Sequence, residues 1–267
     1  MISPKEKELN GKILKMLKGL PRKTAELLIN DKEVHYLQEY ANTVSIRRLK
    51  YNDHGPVHMR TVTINALNML DLLHQAGVLL NLEQEDAGDI EDSRIAVLLA
   101  AFLHDVGMTV GRDGHERNGA LLSYPLMDRI LAKVYGDDLQ KRVVVRTMAL
   151  EGIVGHMATQ HIHSLEAGLI LIADGCDMQK GRARITMQIA SDPMVGDIHK
   201  YSASAIERVT ISKGEKLPIR ITVEMSESVG FFQVEEVLFT KVKISPVKPY
   251  VELYAEVIGQ ETKAYLS

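Results

Sequence analysis

The stretch "RIAVLLAAFLHDVGM", Arg94 to Met108, is an apolar helix that ends in a titratable pair, His104 and Asp105. An ionised aspartate buried alone costs several kcal/mol, so both residues need partners, either hydrogen bonds or a cation. Neutral imidazole and carboxylate together suit Mn, Fe, Co, Ni or Zn, whereas an all-oxygen set would suit Mg or Ca. Side chains of adjacent helical residues point about 100° apart, so the pair cannot enclose an ion alone. Taken by itself the dipeptide reads equally as a buried histidine hydrogen-bonded to an aspartate.

Outward from this segment, apolar residues recur at spacings of three and four near 4–18, 22–49, 56–81, 93–107, 114–135, 138–151 and 163–178. Gly, Pro or Asp clusters break them, and the pattern predicts helices. From about Ala205 the period changes to two. "LPIRITVEM" alternates Ile219, Ile221, Val223 and Met225 against Arg220, Thr222 and Glu224, and "YVELYAEV" does the same. "ERVTIS" with "KGEK" adds a strand and its turn, and "SVGFFQVEEVLFTKV" reads as a helix. The expectation is a mainly α chain, with a helical domain over 1–204 and a small α+β unit, β-β-α-β, over 205–267. The unit's dry face suits the helices or a second copy of the chain, so a homo-oligomer stays open. No internal repeat or low-complexity segment is visible.

Composition narrows function. The chain has 267 residues, 45% of them apolar and 25% charged, enough for one sizeable core or a core with a satellite. A net charge of -3, no Trp and 5% aromatics offer neither the basic field nor the stacking surface of a general nucleic-acid binder. The single cysteine, Cys176, excludes an internal disulfide framework and suits a reducing compartment. With neither a secretory leader nor a long uncharged apolar run, the expectation is a cytoplasmic protein without a membrane span.

Two other apolar helices carry metal-capable side chains near an end. His58 opens "VHMRTVTINALNML" just after Gly55 and Pro56, a helix-start signal, and Asp174 ends "LEAGLILIADGCDM". Three helices each delivering a ligand-type residue point more sharply to a metal than the dipeptide does.

These residues, His58 in "HMRTV", His104 and Asp105 in "FLHDVGM" and Asp174 in "IADGCDM", follow the order H…HD…D. Over roughly residues 50 to 190 the chain resembles the HD superfamily of metal-dependent phosphohydrolases. "GHERNGA" and "IADGCDMQKGRAR" resemble the branch containing the HD domain of ribonuclease Y. The resemblance implies an HD-domain helical bundle that hydrolyses a phosphate ester of a nucleotide or related small molecule through a metal-activated water. It implies that His58, His104, Asp105 and Asp174 hold a first divalent ion, with His104 and Asp105 at the catalytic heart. His115 and His156 fall where binuclear members hold a second, so two ions are expected, Mn, Fe, Co, Ni or Zn, with Mg allowed. Read without the resemblance, His115 is also compatible with a surface position before a helix and His156 with a core or capping one.

The chain departs from the pattern in two places. Met157 follows His156 where a second histidine is common, which turns attention to His161 and His163. Met108 stands where many members carry a phosphate-binding lysine. Positive charge for substrate must then come from the metals and from arginines: Arg182 and Arg184 first, then Arg60, Arg112 and Arg117. His54, on the loop before His58, is a further substrate contact or a partner of a ligand. Cys176 reads as a packing residue. A ribonuclease-like phosphodiesterase is the alternative enzyme, although no GXXG loop sits in an RNA-binding setting. A non-catalytic HD module that binds a nucleotide and signals through its C-terminal unit is the alternative outside enzymology.

Overall fold

A computed structural model of the chain describes residues 2–178 and 198–267. The fold is mainly α with a small α+β unit at the C-terminal end. The helices are α1 Pro4–Met16, α2 Gly19–Asn30, α3 Lys32–Thr43, α4 Pro56–Gln75, α5 Asn81–Gln84, α6 Ile90–Leu103, α7 His115–Tyr135, α8 Leu139–Gly155 and α9 Leu165–Cys176. A helix at Ile198–Ala205 leads into the strands β1 Ile206–Lys213 and β2 Ile219–Met225. A helical segment over 230–244 then connects to β3 Val251–Val257 and β4 Lys263–Leu266.

Local chemistry sets the helix limits. The helix expected over 22–49 is divided, because the Asp31 carboxylate accepts from the amides of Glu33 and Val34 at 2.9 and 3.2 Å and so caps a new helix. The one expected over 56–81 stops at Gln75, and Gly77, at φ 77°, turns the chain. Pro56 occupies the first turn of α4, where its missing N–H costs nothing.

Helix α6 is the axis of the bundle. Every residue from Ile95 to Leu103 is buried, and α2, α4, α8 and α9 pack around it. At roughly 1.5–3 kcal/mol for each large side chain withdrawn from water, this burial holds α6 in place. Whatever stands at its C-terminal end is therefore delivered to the interior, and His104 and Asp105 stand there.

The four strands lie in the order β1-β2-β3-β4, the outer pairs antiparallel and the central pair parallel, in register from Ile219↔Val251 to Met225↔Val257. The 230–244 segment is the crossover that a parallel pair requires. The β-β-α-β expectation lacked β4, whose four half-exposed residues are too few to display an alternation. Ile219, Ile221, Val223 and Met225 are all buried, as is the matching row Val251, Leu253 and Ala255. They join the helices in one continuous core, and α4 touches β1 and β2. The dry face of the sheet thus rests on the helices of its own chain, and the change near residue 205 is one of secondary structure, not of core. Among the described residues no helix is long and apolar enough to cross a membrane.

Candidate metal centre

Helix ends converge on one buried spot. His58 sits in the first turn of α4 and His115 is the first residue of α7. His104 and His156 cap the C-terminal ends of α6 and α8, Asp105 follows His104, and Asp174 lies in the last turn of α9. None of these side chains belongs to a residue more than 8% exposed. All six metal-ligand positions expected from the sequence are brought together.

Hydrogen bonds at the outer nitrogens decide what the inner ones can do. His104 Nδ1 donates to the Ala101 carbonyl at 2.9 Å, His115 Nδ1 to that of Arg112 at 2.8 Å and His156 Nδ1 to that of Ile153 at 2.6 Å. His58 Nδ1 donates to a carboxylate oxygen of Asp177 at 2.6 Å. A neutral imidazole whose Nδ1 carries the hydrogen has only a lone pair at Nε2. The four Nε2 atoms nevertheless face each other in pairs, His58 to His104 at 3.1 Å and His115 to His156 at 3.1 Å.

Carboxylates crowd the same two places. Oδ2 of Asp105 is 3.2 Å from His58 Nε2 and 3.3 Å from His104 Nε2, and it makes no hydrogen bond. Its Oδ1 is 3.3 Å from His115 Nε2 and 3.4 Å from His156 Nε2. Asp174 Oδ1 is 3.2 Å from His58 Nε2. Acceptors gathered this closely favour positive charge among them, a proton or a cation, and these buried His/Asp groups could hold a metal ion.

The titration behaviour follows from the same crowding. Burial alone would raise the Asp105 carboxyl, but the neighbouring His104 and His54, with His115 beside them, hold it well below the ordinary range. Burial likewise opposes ionisation of Asp174, and the Lys241 ammonium, then His58 and His104, bring it well below. His156 is pushed down to about 4, chiefly by burial. His115 rises although burial opposes it, because Asp105 favours its charged form. A proton on His115 thus answers part of the demand for positive charge, and a metal ion would compete with it.

Beside the centre lies a cavity of about 340 Å³ whose walls include Tyr51, His54, Asp105, Arg112, Asp174 and Lys241. His54 donates from Nδ1 to the Asn52 carbonyl at 2.7 Å, and its Nε2 faces Arg112 Nη1 at 3.4 Å, so the histidine positions the guanidinium. Arg112 also stacks over the Tyr51 ring at 5.5 Å.

Several expected contacts are corrected. Arg60 is 1% exposed and points into the N-terminal core, where it donates to Asn10 at 2.7 Å, Gln38 at 2.8 Å and the Pro56 carbonyl at 2.9 Å. It is a packing residue, committed to acceptors on α1, α3 and the start of its own helix, and does not line the cavity. Arg117 is exposed and forms no part of the cavity wall. His161 and His163 are exposed on the loop before α9 and do not join the cluster. Met108 is fully buried in the core. Cys176 is buried too, and burial pushes its thiol up, as befits a packing residue. Arg182 and Arg184 lie outside the described residues.

Two participants escaped the sequence reading. Asp177, three residues beyond Asp174, was within reach of a helical-spacing argument. Lys241 was not: it arrives from the C-terminal unit, donates to Asp174 Oδ2 and to the His156 carbonyl at 2.9 Å, and is 8% exposed. Nothing local in "LFTKVKI" separates Lys241 from Lys243 as the buried one.

Comparison with known proteins adds one relative. The uncharacterized protein MJ1020 of Methanocaldococcus jannaschii is 38% identical over 251 residues, 94% of this chain and 95% of that one. The chain belongs to the MJ1020 family. At that coverage the likeness takes in the helical bundle and most of the C-terminal unit, so the MJ1020 family carries both together. No protein-family profile matches the chain, and no solved structure matches it.

Proposed function

We propose that the protein is a metal-dependent phosphohydrolase of the HD superfamily type, acting in the cytoplasm on the phosphate ester of a nucleotide or related small molecule. The observation that carries the reading is the shared carboxylate. Asp105 turns one oxygen to the His58/His104 pair and the other to the His115/His156 pair, and in the neutral rings, whose Nδ1 hydrogens are given away outward, the inner nitrogens are acceptors. His58, His104 and Asp174 would hold one divalent ion and His115 and His156 a second, with Asp105 serving both; Mn, Fe, Co, Ni and Zn suit the mixed nitrogen and oxygen donors, and Mg is less suited.

Such ions, when bound, lower the pKa of water toward neutrality and screen the charge of phosphoryl oxygens. The chain's part is to keep the donors ready. Asp105 and Asp174 stay ionised at neutral pH, and the outer hydrogen bonds fix each imidazole ring and its tautomer. The buried Cys176 leaves no thiol nucleophile in the cavity.

The test is elemental analysis of the purified protein, then turnover of nucleotides, cyclic dinucleotides and short RNA with Mn, Fe, Co, Ni and Mg. The expected result is about two ions per chain and hydrolysis that disappears in His104→Ala and Asp105→Ala. Tight nucleotide binding without turnover under every metal would favour the signalling module instead.

A further inference from the structure

We propose that Arg112 and Lys241 form an oxyanion-binding pair in the cavity wall beside the centre, so that the C-terminal unit supplies a substrate-binding residue. This deepens the phosphohydrolase reading and rests on it. Met108, three residues beyond Asp105, is buried and cannot meet a phosphate, and neither Arg60 nor Arg117 lines the cavity. Among the described residues the cavity wall holds one arginine and one lysine, Arg112 and Lys241.

Arg112 carries the first observation. Its contacts are an imidazole nitrogen of His54 at 3.4 Å, the Met157 sulfur at 3.8 Å and the Tyr51 ring. None is an anion. A half-buried guanidinium facing a cavity with no carboxylate partner, yet held in place on three sides, is set for an anion that comes and goes. Lys241 carries the second, independently. Its ammonium has three hydrogens, of which Asp174 and the His156 carbonyl take two, and it borders the same cavity. The bond to Asp174 also places that charge one carboxylate away from the nitrogens of His58. A tetrahedral oxyanion in the cavity would thus meet the planar donor fork of Arg112 and the remaining hydrogen of Lys241.

The pair gives the C-terminal unit a part in the site. Helix 230–244 is pinned to the end of α8 by the Lys241 bond to the His156 carbonyl, and Gly175 of α9 lies against it closely enough that a Cβ there would meet Leu238 and Lys241 at 3.2 Å.

Inorganic phosphate is the probe, titrated calorimetrically into the full-length, Mn-loaded protein. Lys241→Met and Arg112→Met should each weaken phosphate binding by about tenfold or more while Mn content stays at the wild-type value. Lys241→Arg should remain within a few-fold of wild type, and Arg208→Gln, an exposed change on β1, should have no effect. If Lys241→Met does not fold, Lys241→Gln, which keeps donors for Asp174 and the carbonyl without the charge, takes its place. Undiminished phosphate binding in the Lys241 variant overturns the proposal, as does loss of Mn in step with phosphate, which would make Lys241 a positioning residue for Asp174. A wild-type protein that takes up no Mn counts against the phosphohydrolase reading, and phosphate titration of that metal-free protein then reads the pair by itself.

Discussion

Nε2 of His115 and Nε2 of His156 stand 3.1 Å apart, and with both Nδ1 hydrogens given to backbone carbonyls neither neutral ring has a hydrogen for the other. The contact is unfavourable unless positive charge enters it. Placed between two helix ends and against Asp105, it behaves as a socket for a cation, and its pH dependence follows.

In protein stripped of metal by a chelator, His156 is pushed down to about 4 from an ordinary 6.5. Between those values the unfolded chain binds a proton that the folded chain refuses, so stability falls as pH drops from about 6.5 toward 4. The stability of wild type relative to His156→Gln, read by urea unfolding, should therefore shrink by up to about 3 kcal/mol across that window. His115 acts in the opposite sense and outside the window: its raised pKa contributes stability that is complete below about 6.5 and is lost as pH climbs above it. A difference independent of pH between 4 and 6.5 would refute the assignment of a neutral His156.

Asp177 fixes His58 by accepting its Nδ1 hydrogen at 2.6 Å. Asp177→Asn can offer that nitrogen a hydrogen instead of accepting one, which frees the ring to turn or change tautomer. Metal affinity should fall by about 10–100-fold, measured by Mn titration, while thermal stability of the metal-free protein changes little. Equal affinity in the variant would show that His58 needs no such partner.

Gly107 lies in the turn after Asp105, and a Cβ there would land on the His115 carbonyl and the Gly119 amide, both backbone. Backbone cannot step aside as a flexible side chain does. Gly107→Ala should separate α7 from the HD turn and lower stability by at least about 2 kcal/mol, with metal stoichiometry falling because His115 moves with α7. A variant with wild-type Tm and full metal content would contradict the close packing.

Arg60 is the counter-example that separates burial from function. Its donors serve Asn10, Gln38 and the Pro56 carbonyl, and its guanidinium packs over Phe102 at 4.8 Å. Burial lowers its pKa to about 10. Arg60→Met leaves those acceptors without donors and should cost about 3 kcal/mol in urea unfolding, with metal bound per folded molecule unchanged. Loss of metal from a folded variant would place Arg60 nearer the centre than its partners imply.

How much of this was legible depends on how local the signal is. The apolar run of α6 and the alternation of β2 and β3 are written in successive residues, because burial on all sides or on one face dictates which side chains recur and at what period. The ligand types were legible for a similar reason: an imidazole or carboxylate at the end of an apolar helix cannot go unpartnered, and His58, His104, Asp105 and Asp174 all have that setting. Choosing among arginines was not legible. Arg60 and Arg112 are the same residue type on either side of the HD pair in the chain, and only packing sends one into the core and the other to the cavity.

By itself, then, the order of residues determined a helical bundle followed by a small sheet, and it marked His58, His104, Asp105 and Asp174 as metal-capable groups that burial obliges to find partners, whereas His115 and His156 were pointed to only by the family resemblance. Tertiary structure alone decided that the candidate ligands pair as His58 with His104 and His115 with His156 across a shared Asp105. It also decided that Lys241 crosses from the C-terminal unit to Asp174. Those relations join residues 41 to 67 positions apart, and no local period encodes a contact that exists only once the helices have packed.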